Sequence, residues 1–168
     1  MKDRVFRFGL RLTRITESIA AVLLVAVLLM NLGQVFWRYA LVDPLSWSEE
    51  SMRYSTVWMV FLAGSAALFR GEHMSVDVFA DLRAPRLRRA IRLTVLGLIA
   101  LFCLILIWEG MPAAILNIRQ MSPAMQIPMI IPYIAVPVGG LLMLIKVLCL
   151  MALPEEYMLR EMREENEP

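Results

Sequence analysis

Four stretches of this chain are apolar over lengths that match a lipid bilayer. A hydrocarbon core of ~30 Å takes about 20 mainly apolar helical residues. The first stretch centres on 19–30, where every side chain is apolar, and predicts a helix over about 16–36. The second covers 48–69. The third covers 90–118 and contains Gly110 and Pro112, so a helix of that length must tilt or kink. The fourth covers 128–151; Pro128 and Pro132 suit the first turns of a helix, whereas Pro137 lies deeper and predicts a kink. Alternation of period two in blocks of ten is absent, which argues against a membrane β-barrel. The expected fold is all-α: a single membrane domain over 1–168 with four transmembrane helices.

The charges between these stretches predict an orientation. Residues 1–17 carry five basic side chains, 37–53 carry two, 70–92 carry six, 109–128 carry one, and the part after Leu144 carries Lys146, Arg160 and Arg163. Cytoplasmic segments are enriched in Lys and Arg. The alternation puts both termini and the middle loop inside, and the loops around Asp43 and Ser122 outside. Trp37, Tyr39 and Trp47 then fall in an outer aromatic belt. The basic start followed by an apolar run could suggest a secretory signal. The run is too long for one and ends in NLGQVFW rather than at small residues, so it reads as a retained helix.

Composition narrows the function. Of 168 residues, 60% are hydrophobic and 19% charged, and the net charge is only +2, which excludes a disordered chain and makes no electrostatic case for nucleic acid. His73 is the one histidine, so a bis-histidine haem or a zinc site using two histidines is excluded. Cys103 and Cys149 sit in apolar runs at different depths, which suits packing and not a disulfide. No metal, no cofactor and no enzymatic activity are expected; no nucleophile, histidine and acid can meet in one place.

The polar residues that remain group into three places. In 44–53, PLSWSEESMR, Ser46 and Glu49 fit a capping box, and Glu49 and Arg53 are spaced for an i, i+4 pair. Glu50 is left over, for a structural contact or for a functional or inter-subunit role as an outer-surface contact or gate. Asn31, Gln34 and Arg38 form a stripe near the outer end of the first helix, facing Glu49 or Glu50 on the next helix or a second protein. In 70–77, RGEHMSVD, Gly71 suits a helix C-cap, and a short helix along the inner membrane face would place His73 and Asp77 one turn apart, beside Arg70. Ser122, Pro123 and Pro128 belong to a proline-stiffened outer loop. The small-residue patch Ala63, Gly64, Ser65, Ala66 and Ala67, in which Ala63 and Ala67 form a small-xxx-small pair, and Gly139 with Gly140 predict close packing against a helix of this chain or of another. No acidic residue falls at the centre of a span, and the inner halves of all four read as apolar or small. A carrier usually places an ionisable or unwound site near the midplane. The chain therefore reads as a partner or scaffold of membrane machinery.

Several motifs together resemble the small membrane subunit of TRAP (tripartite ATP-independent periplasmic) transporters. They are FWRY at 36–39 leading into PLSWSEE at 44–50, RY at 53–54, VW at 57–58, RGEHMSVD at 70–77, SPAMQIP at 122–128, and Tyr133 with PVGG at 137–140. The resemblance covers about 15–150. It implies a multi-pass protein of a bacterial or archaeal inner membrane, in lipid contact. Its implied partners are a large elevator-type permease subunit, which it would scaffold, and a periplasmic substrate-binding protein, which it would help dock. The implied activity is sodium-coupled secondary uptake of an organic acid such as a dicarboxylate, with no substrate site on this chain.

Overall fold

The computed structural model describes residues 2–42, 45–70 and 85–153. Among these the structure is helical, without a strand; one isolated bridge joins Met121 and Pro128. Helix α1 spans Lys2–Phe36 and passes into a π-helical turn, Trp37–Leu41, that ends at Val42 with φ 56°. Helix α2 is Ser46–Arg70 and α3 is Pro85–Leu116. A four-residue helix, α4 (Ile130–Tyr133), precedes α5 (Ala135–Ala152). The expected all-α architecture is what the chain adopts.

Local chemistry explains the boundaries. Proline at the first position of α3 lacks only an N–H that a helix leaves unbonded there. Pro137 cannot donate to the carbonyl four residues back, that of Tyr133, and the break between α4 and α5 lies at Ile134. The long third helix expected from the sequence forms with Pro112 inside it. Helix α1 starts well before 16, because its first turns pack: Phe6 meets the Phe69 ring at a centroid distance of 6.5 Å, and Gly9 lies where a Cβ would strike that ring.

The helices pack as a row. Helix α1 lies along α2, α2 along α5 and α5 along α3, and α1 also touches α5. The segments around α1, α3 and α4–α5 are long and apolar enough to cross a membrane. Their outward faces are as apolar as their inward ones: Val22 is 69% exposed, Leu98 62% and Trp108 78%. Such faces are stable against lipid chains and not against water. Helix α2 is about 37 Å long at 1.5 Å per residue. It is less apolar than the others, as its place between α1 and α5 permits.

Between apolar helices in lipid the hydrophobic effect gives no net attraction, so close packing and polar bonds must hold them. Glycines of α5 supply the first. A Cβ on Gly139 would stand 2.5 Å from Phe61 Cδ1 of α2, and one on Gly140 would stand 3.3 Å from the Cys103 carbonyl of α3. Within the small-residue patch of α2, Ser65 and Ala66 are the buried members. Ala63 is exposed, and the buried face is formed by Leu62, Ser65, Ala66 and Phe69.

Candidate functional site

The polar groups collect at the two ends of the helix row. At one end Glu50, on the second turn of α2, reaches a loop more than 70 residues away in sequence. Its carboxylate accepts the Ser122 hydroxyl at 2.7 Å and the backbone N–H groups of Ala124 at 3.2 Å and Met125 at 3.1 Å. Arg53, one turn further along α2, adds a favourable charge. Ser122 is fully buried by this contact. The loop also closes on itself. The Ser122 N–H donates to the Ile127 carbonyl (2.9 Å) and the Met129 N–H to that of Gln120 (2.8 Å). Gln126, at φ 54°, makes the turn. Trp58 Nε1 donates to the Ile131 carbonyl at 3.1 Å, tying α2 to α4 as well.

The stripe on α1 divides. Gln34 donates from Nε2 to Glu49 Oε1 at 3.1 Å, the contact to the next helix that its spacing suggested. Asn31 and Arg38 are exposed and bond neither glutamate. From Trp37 onward the π-helical bonding changes the register in which the stripe was counted. The capping box does not form, since Ser46 is already inside α2 and the Glu49 carboxylate is turned to Gln34. The Glu49–Arg53 ion pair is not made either; among the described residues the ion pair is Arg70 with Glu17, at 2.7 Å. Arg53 is exposed on α2, as are Trp37 and Arg38 in the π-helical turn and Trp47 in the first turn of α2. Of the inner-loop motif only Arg70 is described; Gly71, His73, Asp77 and the short helix expected there lie outside the described residues, as does Pro44 of the first motif.

The other end holds the group that sequence reasoning missed. Lys146, counted above with the basic tail, is fully buried between α5, α1 and α2. Its Nζ donates to Thr16 Oγ1 at 2.9 Å and to Ser65 Oγ at 3.1 Å. Each hydroxyl in turn donates to a carbonyl of its own helix, Thr16 to Thr13 and Ser65 to Leu62. Both can therefore only accept from the lysine. Glu17, held by Arg70, adds a favourable charge. Arg92 of α3 completes this end, donating to the carbonyls of Leu150 (2.8 Å) and Leu153 (3.1 Å) that close α5. The expectation of purely apolar or small inner halves is thus corrected. The available signal was a single lysine inside an otherwise apolar run, which in a membrane helix marks a buried partner.

No group of metal-ligating side chains occurs among the described residues. Cys103 and Cys149 are free thiols.

Comparison with known proteins relates the sequence of this chain to a family. Residues 27–154 match the family profile of the DctQ component of tripartite ATP-independent periplasmic transporters. A Haemophilus influenzae protein named as a TRAP transporter small permease protein is 30% identical over 126 residues, 74% of this chain and 75% of that protein. The C4-dicarboxylate TRAP transporter small permease protein DctQ of Vibrio cholerae is 28% identical over 60% of this chain and 44% of its own length. The isethionate TRAP transporter permease protein DctMQ of Oleidesulfovibrio alaskensis is 27% identical over 61% of this chain, which corresponds to 16% of that longer protein.

Proposed function

We propose, from the premise that this chain belongs to the DctQ component family of the tripartite ATP-independent periplasmic transporters, that it is the fixed small permease subunit beside a large elevator-type subunit. The family is one of multi-pass membrane transport components, not enzymes. In this reading α1, α2, α3 and α4–α5 are four spans of the inner membrane. The Lys146 end faces the cytoplasm and the Glu50 end the periplasm. The large subunit carries a sodium-coupled organic acid, and the periplasmic end helps seat the substrate-binding protein.

The observation that carries the reading is where the polar groups are used. Glu50 is spent on fixing a loop, and Lys146 on joining three helices. Neither is left to hold a substrate, and a moving subunit needs a rigid frame to move against. That the DctMQ relative carries the matching segment in a much longer permease chain supports a large-subunit neighbour.

Reconstitution tests the proposal. The purified chain in liposomes is expected to show no sodium-driven uptake of C4-type or sugar acids. Adding the large subunit and the loaded binding protein should restore uptake. Robust sodium-dependent uptake by this chain alone would overturn the scaffold reading.

A further inference from the structure

The first turns of α1 lie outside the residues matched by the family, yet they form a regular surface. Arg4, Arg7, Arg11 and Arg14 recur at steps of three and four and are all exposed. Those steps place them on one face of a helix. The opposite face, Gly9, Thr13 and Thr16, is buried in the row. Arg4, Arg7 and Arg11 line a shallow concavity of about 200 Å³ together with Phe8, which is 54% exposed. Arg7 is partly fixed, with Nε donating to the Asp3 carbonyl at 3.2 Å.

The same steps continue along α1 and the chemistry changes. Beyond Ser18 the face becomes Val22, Val25 and Leu29, which are 69%, 55% and 63% exposed. Counting about 20 residues back from Gln34 puts the edge of the hydrocarbon near Arg14. The other arginines extend ~15 Å beyond it at 1.5 Å per residue. One helix face thus presents guanidinium groups from headgroup level, at Arg14 and Arg11, outward past it, at Arg7 and Arg4, and branched aliphatic side chains at acyl-chain level.

We infer that this face is a binding site for an anionic glycerophospholipid. Its phosphate sits at the Arg11 end of the concavity, within reach of the long Arg7 side chain, with Arg4 adding charge further out, and an acyl chain lies over Val22, Val25 and Leu29. Guanidinium groups suit the phosphate because they donate two parallel hydrogen bonds to its oxygens. Phe8 and Ile15, exposed between the arginines, favour a lipid surface over open water. The site is independent of the transport role and of which side of the membrane α1 starts on.

The test uses the full chain in nanodiscs of phosphatidylglycerol and phosphatidylcholine in equal amounts, with retained lipid counted by native mass spectrometry. Phosphatidylglycerol is expected to be enriched. The triple variant R4Q/R7Q/R11Q should lose that enrichment by tenfold or more, since each basic residue near an anionic surface contributes about fivefold. The control Arg119→Gln, in the turn that follows α3 and well away from the arginine face, should retain it. Inorganic phosphate at millimolar concentration should not displace the lipid; displacement would identify a soluble-anion site and overturn the proposal. Equal retention by the triple variant would overturn it too. Loss of the enrichment when the large permease subunit is added would reassign the face to a protein interface.

Discussion

At the residue scale, two charged side chains do unlike work. Glu50 holds its loop through three hydrogen bonds, all accepted by its carboxylate, and such charge-assisted bonds are stronger than neutral ones. A lysine there accepts none of them. Glu50→Lys should therefore release 122–126, read as faster amide exchange there while α3 and α5 stay protected. It should also lower uptake and weaken association with the large subunit or the binding protein. Lost uptake with both associations intact would instead favour a direct transport role for Glu50. Lys146 behaves differently, because its two hydroxyl partners already donate elsewhere. Lys146→Met strands only lone pairs and should change stability by about 1 kcal/mol in either direction. Lys146→Glu puts a carboxylate near Glu17 and should cost about 3–5 kcal/mol. A thermal-unfolding comparison in detergent separates the two; equal losses would mean that the ammonium itself is required.

At the element scale, α5 decides the arrangement because it touches both α2 and α3. Its glycines set how close it comes. Gly139→Leu must displace the Phe61 ring, and overpacking of this kind costs about 1–3 kcal/mol. Phe61→Ala in the same chain should recover much of that loss. A double-mutant cycle in detergent measures the coupling, and strict additivity would show that the two side chains do not share the space. The hydropathy pattern located all these helices, since a backbone in lipid must satisfy its own hydrogen bonds. It did not show that α1 packs from its first turns, because Phe6 and Gly9 look ordinary until Phe69 is placed against them.

At the scale of the whole molecule, the proposed topology can be checked by labelling. In a background lacking both native cysteines, cysteine at Ala124 should react with an impermeant thiol reagent added from the periplasmic side, and cysteine at Arg86 should not. Ala124 is chosen because Ser122 is buried under Glu50. The reverse pattern would invert the orientation. Lys146 no longer counts toward it, being enclosed by three helices; the remaining Lys and Arg alternation still motivates the same assignment.

The all-α class, the approximate stretches of the helices, the exclusion of a two-histidine metal centre and the pairing of Gln34 with the next helix could all be read along the chain. Each of these depends on composition or on spacing along one helix and its immediate successor. That Glu50 closes on Ser122, that Lys146 joins Thr16 to Ser65, and that Gly139 makes room for Phe61 emerged from the packed helices alone. Periodicity says which face of a helix is apolar but not which distant helix will lie against it. These contacts join segments that come together only when the row is packed.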